Sequence, residues 1–398
     1  MSEDGWMYYL LFLVAVMSGW LLAKVGDWKF LRRFESRNTF TRDYFVGLNY
    51  LLHDEPDEAV DTFINALELN ADTIETHLAL GILLRRRGKV DRAIEVHQGL
   101  LAGKGLVGQH SQSIRLELAR DFTAAGVLDR AESILQEIVS EKSVYKWEAL
   151  SQLIVIYQMS KEWAKAEVAA RDLLVSPTHR KQKSLRSAAS HFCCELAQER
   201  MKKGEWPAVR RWLAKAWSYD RDNLRPALML ASIEANTDNH EKAARILMKA
   251  VDRNARYLAE VVSPLSESKL KIGAADKLEA FLRQANARHA STAAALQSAE
   301  LISQRAGIAE ASSYLMSVQN QHPTLRGLAG LSAFMVDLSE GTQKERAMVL
   351  RDALRQISAS SPAYHCEGCG FTARKLYWLC PGCQQWGLIV SAAGPDGD

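Results

Sequence analysis

Gly47, Ala59, Phe63 and Ala66 recur as Gly81, Ala93, His97 and Leu100, each 34 residues further on. A chain that repeats itself at that period is confined to a few stacked architectures. The small residue at Ala59 and Ala93 returns at Ala131, Ala166, Ala208, Ala243 and Ala311. A second small residue stands 12 positions upstream in five units: Gly47, Gly81, Ala119, Ala231 and Ala299, whereas Ile154 and Leu196 precede Ala166 and Ala208. Turn-forming residues divide the units at His53-Asp54-Glu55-Pro56, Arg87-Gly88-Lys89, Ala125-Gly126, Lys203-Gly204-Glu205 and Asn236-Thr237-Asp238. Apolar residues around these turns run at i, i+3, i+4 and i+7, the spacing of helices rather than strands. Two antiparallel helices pack closely only where Gly or Ala leaves room. A single pair cannot bury its apolar face alone, so pairs must stack.

The period, the small residues and Pro323 closing the last well-matched unit are similar to tetratricopeptide repeats. The expected fold is an all-α superhelix of roughly eight units, with residues 252–290 and 324–358 helical in pattern but poorly matched. Ala93 to Ala131 is four residues longer than the period, and Gly103, Gly105 and Gly108 place the excess in a loop. Only 9 Pro and 23 Gly in 398 residues leave long helices uninterrupted. Such an array offers a binding surface on the first helix of each pair, here carrying Tyr44, Leu48, Leu78 and Ile82. These are apolar, without the Lys/Asn clamp that holds a partner's terminal carboxylate, and inter-repeat packing alone accounts for them.

Ahead of the repeats, Trp6 to Ala23 carries no charge. As a helix it is about 27 Å long, matching a hydrocarbon core of about 30 Å. Trp6, Tyr8, Tyr9 and Trp20 place rings near both ends. Glu3 and Asp4 precede the run, and Lys24, Lys29, Arg32, Arg33 and Arg37 follow it. That asymmetry favours an uncleaved anchor, with the amino terminus outside and the bulk of the chain in the cytoplasm, over a cleaved signal peptide or a core helix. The organisation expected is an anchor over residues 1–24, a juxtamembrane linker over 25–40, the repeat array over 41–358 and a metal-binding domain over 359–392.

The last of these rests on cysteines. Six in the chain are too few for a disulfide scaffold, yet four follow Pro362, as Cys366-Glu-Gly-Cys369-Gly370 and Cys380-Pro381-Gly382-Cys383. Two C-x-x-C pairs at this separation form a metal site, each a tight knuckle with backbone amides turned to the thiolates. Cys366, Cys369, Cys380 and Cys383 would close a tetrahedron around one ion, zinc or iron, with no open position for a substrate. A pair of disulfides competes poorly in a reducing compartment. The knuckles are similar to those of rubredoxin, though rubredoxins separate them further. That difference favours docking or structural support over electron transfer. His365 adjoins the first knuckle as a bystander, because four thiolates already complete the set.

Other candidates have plainer explanations. Cys193 and Cys194 fall in the helical stretch HFCCELA as buried residues, and the basic run from His179 to Arg186 forms a solvated loop. Lys+Arg 50 against Asp+Glu 47 gives a net charge of +3, so bulk charge makes no case for nucleic acid. No glycine-rich phosphate loop, G-x-S-x-G elbow or H-E-x-x-H is present, and nothing in the sequence points to an enzyme.

An anchor, a repeat array and a terminal metal domain, in that order, resemble the lipopolysaccharide assembly protein B family of Gram-negative bacteria. The likeness is carried by Arg42 to Leu52, Asp91-Arg-Ala-Ile94, His191 to Ala197 and Cys366 to Trp386. It implies a non-catalytic inner-membrane regulator of lipopolysaccharide synthesis. Such a protein works with a membrane-bound ATP-dependent zinc protease to promote degradation of the lipid A pathway deacetylase. It also receives a signal from an inner-membrane protein that senses lipopolysaccharide. A scaffold that gathers synthesis and export proteins without directing proteolysis is the alternative, and a homodimer is compatible with either.

Overall fold

The computed structural model describes residues 12–18, 20, 74–102, 108–141 and 143–392. Most of the expected anchor, together with Tyr44, Leu48 and the unit around Ala59, lies outside these residues. The described part, 12–18 and 20, is helical, with Phe12, Leu13, Val14, Val16, Met17 and Trp20 exposed. No helix among the described residues is long and apolar enough to cross a membrane.

From Ile74 onward the described residues form sixteen α-helices, which follow one another two by two in chain order. The first four pairs are α1 (Ile74–Arg86) with α2 (Val90–Ala102), α3 (Gln109–Ala124) with α4 (Leu128–Ser140), α5 (Lys146–Met159) with α6 (Trp163–Leu173), and α7 (Lys183–Lys202) with α8 (Trp206–Tyr219). The others are α9 (Arg225–Asn236) with α10 (His240–Arg253), α11 (Leu258–Lys271) with α12 (Ala275–Arg288), α13 (Thr292–Ala306) with α14 (Ile308–Gln321), and α15 (Leu325–Leu338) with α16 (Gly341–Ser360). The poorly matched segments are thus regular pairs. The chain divides into two compact units between Ile156 and Tyr157, inside α5.

The first six turns share one form, whereas those at Gly307 and at Ser339-Glu340 lack it. After Arg87, Gly88 takes φ 80°, and the Lys89 amide donates back to Leu84, five residues earlier. Gly126 and Gly204 repeat the left-handed step, and the amides of Val127 and Glu205 make the equivalent bonds. This closure satisfies carbonyls that a helix end leaves without partners. Lys161 and Asp238 occupy the same position at φ 58°, where a side chain is strained.

The fourth residue of the second helix is the close-packing position. Ala93, Ala131, Ala166, Ala243 and Ala311 fill it with no exposed surface. The fourth pair corrects the sequence register: α8 begins at Trp206, so the position belongs to the fully buried Val209, and Ala208 is half-buried beside it. Twelve residues before Val209 stands Ala197, also fully buried. The apparent break at Leu196 was a slip of one residue. Leu278 and Ser266 play the same parts in the sixth pair, which leaves Ile154 as the departure among these pairs.

In the first unit, Leu80, Leu84, Ala93 and Val96 form one core cluster. The His97 ring lies over Gly81, where any Cβ would collide with it. Buried His97 bonds through Nδ1 to the Asp121 carboxylate, which Arg85 also meets at 2.7 Å while holding Glu117 at 2.6 Å.

In the second unit a core runs from Leu224 through Ala294 to Leu301 and takes in Val390 from the chain's end. That end folds as a three-stranded antiparallel sheet in the order β2-β1-β3, with β1 Tyr364–Cys366, β2 Thr372–Ala373 and β3 Ile389–Ser391. Tyr364 pairs with both Ala373 and Ser391, which places β1 in the centre. The all-α expectation omitted this small sheet.

Candidate metal centre and its docking surface

The first knuckle is the turn joining β1 to β2. The Gly370 amide donates to the Cys366 carbonyl at 2.9 Å, and the Cys366 amide donates to Phe371. Gly370 has φ 74°, the left-handed conformation this turn requires. The second knuckle repeats the pattern: Gln384 donates to the Cys380 carbonyl and Cys380 to that of Gln385. Its left-handed residue is Gln384, at φ 56°.

The two turns bring Cys366, Cys369, Cys380 and Cys383 together, all four sulfurs within 4.8 Å of one another. Sγ of Cys366 is 3.8 Å from that of Cys383, and Cys369 is 3.6 Å from Cys380. A tetrahedron with metal–sulfur bonds of about 2.3 Å has edges of about 3.8 Å, so the set fits one ion. Gly382 keeps the space between the knuckles open, since a Cβ there would stand 3.2 Å from the Cys369 sulfur. His365 lies outside the group, in the central strand opposite Thr372 and Val390.

The electrostatics point the same way. Burial opposes ionisation of Cys380, but the amides of Cys383 and Gly382 outweigh it and bring that thiol down to about 7. For Cys383 the Gln385 amide favours the thiolate. Burial and the three neighbouring sulfurs prevail and push it up to about 12. Four thiolates cannot coexist here without a cation, and a divalent ion supplies the missing charge. The donors and geometry support one tetrahedrally coordinated metal, iron or zinc.

The metal domain sits on the helices of the second unit. Trp386 stacks on His191 of α7, with ring centroids 4.9 Å apart and planes at 17°. It also meets Trp163 and Phe192 edge-on at 6.0 and 5.9 Å. Its indole N–H donates to Gln158 Oε1 at 2.7 Å, and Gln158 donates back to the Gln384 carbonyl at 3.0 Å. Trp378 also meets the His191 ring, tilted at 5.6 Å, and lies beside Tyr257, whose hydroxyl donates to the Gly387 carbonyl. Arg256 pairs with Glu367 at 2.7 Å, and the Tyr364 hydroxyl donates to Glu260. Gly387, at φ 67°, is where the loop comes closest, since a Cβ there would meet Ser187 and His191.

His191 is thus enclosed by aromatic rings. Its Nδ1 has no partner among the described residues. Burial, reinforced by the positive charge of Arg225, holds its pKa well below the usual range, so the ring is neutral. Cys193 and Cys194 are fully buried in the same helix, and burial pushes both thiols up. Arg186, from the basic run, donates to the carbonyl of Tyr219 and so ties to the end of α8.

The rubredoxin metal binding domain family matches residues 364–390, and the tetratricopeptide repeat family matches residues 76–108. The chain is 34% identical to Lipopolysaccharide assembly protein B of Escherichia coli (strain K12), over 98% of this chain and 99% of that one. The chain belongs to the lipopolysaccharide assembly protein B family. A second relative of that name, from Haemophilus influenzae, is 30% identical over 96% of this chain and 97% of its own length. Among solved structures the chain is similar to a crystal structure of MamA protein, at 16% identity and a TM-score of 0.33, over 48% of this chain and 96% of that one.

The docked domain gives a role to residues that the sequence singled out only within longer stretches, His191 to Ala197 and Cys366 to Trp386, or not at all. His191 and Phe192 head the stretch HFCCELA, yet the pair that catches the eye there is Cys193-Cys194. Trp163, Tyr257 and Trp378 carry no local signal of their role. Trp386, three residues after the last cysteine, closes the second of those stretches.

Proposed function

We propose that the chain is a non-catalytic adaptor at the inner membrane that regulates lipopolysaccharide synthesis. In this proposal Trp6–Ala23 is a single-pass anchor with its amino terminus periplasmic, and the rest of the chain is cytoplasmic. The repeats hold the lipid A pathway deacetylase for a membrane-bound ATP-dependent zinc protease, and an inner-membrane lipopolysaccharide sensor adjusts the process. Cys366, Cys369, Cys380 and Cys383 hold the metal, whose task is structural. The observation that carries the proposal is the match to Lipopolysaccharide assembly protein B across nearly the whole of both chains. Helix repeats that recognise segments of other proteins, and a closed metal site with no place for substrate, are consistent with it.

The test is the deacetylase's half-life in cells depleted of this protein, with translation blocked and the protease intact. A several-fold longer half-life is expected. An unchanged one would replace proteolysis with the scaffold alternative.

A further inference from the structure

Between α8 and α10, over the start of α9, the second unit holds a groove of about 570 Å³, away from the residues that dock the metal domain. Its apolar surface comes from half-buried Trp217, Leu230 and Ile246, which rest on the cores beneath. Along α10 the lining residues Lys242, Ile246, Lys249 and Arg253 follow at i, i+4, i+7 and i+11, which sets them in one stripe along one wall. Arg221 adds a cation from the loop between α8 and α9.

These cations are not all spent on the fold. Lys242 is engaged with Glu234 at 3.1 Å. Exposed Arg221, Lys249 and Arg253 have no carboxylate within ion-pair distance among the described residues. Elsewhere in this unit, exposed cations do find acids: Arg288 meets Asp252 at 3.1 Å, and Arg200 meets Glu205 at 3.0 Å. Asp222 is the one acid among the described lining residues, against four cations. Converging like charges beside wetted apolar surface is a costly arrangement that an anion with an apolar portion would relieve on both counts.

We infer that this groove binds a small amphipathic anion. A phosphate group sits among Arg221, Lys249 and Arg253, and an attached apolar body lies against Trp217, Leu230 and Ile246. The volume is that of a small-molecule site and is too small for a partner helix, which favours a single small ligand over an acidic segment of another protein. Arginine is suited to phosphate by its fork of donors, and lysine adds a point charge. A membrane lipid's headgroup and a soluble phosphorylated acyl compound share this chemistry. The inference does not rest on the proposed adaptor role.

The test is calorimetric titration of the full chain held in phosphatidylcholine nanodiscs with monomeric dihexanoylphosphatidic acid. Saturable binding of one molecule per chain is expected. Lys249→Glu combined with Arg253→Glu should weaken it by at least about tenfold, the effect of losing a charge-assisted contact. Ile246→Asn should weaken the lipid phosphate several-fold and leave inorganic phosphate binding unchanged. Arg221→Glu, in the loop, gives a second charge reversal should the double change disturb α10. Phosphatidic acid placed in the disc should compete with the titrant if a membrane lipid is the occupant, and should leave it unaffected if the source is soluble. The inference is overturned if no saturable binding occurs, or if the charge reversals leave it unchanged. It also fails if inorganic phosphate or hexaglutamate binds as tightly as the lipid phosphate.

Discussion

His191 shows how much one side chain can couple. Its neutral ring is the floor on which Trp378 and Trp386 rest, and burial holds its pKa well below the unfolded value of about 6.5. Below that value the unfolded or undocked chain takes up a proton that the docked state refuses. The stabilisation is therefore complete above about pH 6.5 and is lost progressively as the pH falls. The thermal midpoint of the second unit should drop between pH 7.5 and 5.5, and His191→Phe should flatten that slope. An unchanged slope would mean that the cysteines, which release metal when protonated, set the pH response instead. Trp386 buries its ring among three aromatic side chains and donates to Gln158. Trp386→Ala should cost about 3–5 kcal/mol in equilibrium unfolding of the second unit. In the first unit, Gly81→Ala drives a methyl into the His97 ring. About 1–3 kcal/mol of destabilisation is expected. A double-mutant cycle with His97→Ala should be strongly non-additive, because the smaller residue removes the clash.

At the scale of helices and turns, most of the architecture was legible in the residues. The close-packing alanines mark where a second helix crosses the first, and the turn glycines mark where each first helix must reverse. Legibility failed where a local substitution hid the rule. Val209 fills the position that alanine holds elsewhere, and neighbouring Ala208 drew the register off by one residue. Lys161 hides the turn signal in the same way, because the backbone is left-handed there without glycine; Asp238 is left-handed too, within a turn that Asn236-Thr237-Asp238 still marked. The chain nonetheless turns at both as it does at Gly88, Gly126 and Gly204, with Glu162 donating to Tyr157 and Asn239 to Glu234. That strain makes a prediction. Lys161→Gly removes a left-handed penalty of about 1–2 kcal/mol, less the glycine's larger entropy loss of about 0.5–1 kcal/mol. A net gain of about 0.5–1 kcal/mol should appear as a higher denaturant midpoint with an unchanged slope, whereas the same change at exposed, helical Lys165 should destabilise.

On the scale of the whole chain, the decisive contacts are those no local pattern announces. The four cysteines were legible because both knuckles lie within 18 residues, Cys366 to Cys383. Their docking was not, because Trp386 reaches Gln158 across 228 residues of sequence. The metal domain is too small to hold its shape by burial alone. Its core is Cys366, Cys380 and Ile389 with a few half-buried neighbours, so metal binding must supply much of its folding free energy. The same domain lends Val390 to the long helical core and covers Trp163, His191 and Tyr257. Metal loss should therefore not stay local. Cys366→Ser with Cys369→Ser, or a strong chelator, should unfold residues 364–391. It should then raise amide exchange in α7 and α11 and lower the thermal midpoint of the second unit by an amount comparable to Trp386→Ala. Hydrogen exchange read by mass spectrometry separates the possibilities. Faster exchange confined to the knuckles would make the domain a passenger, whereas faster exchange reaching α7 and α11 would make the metal a determinant of the array's binding surface.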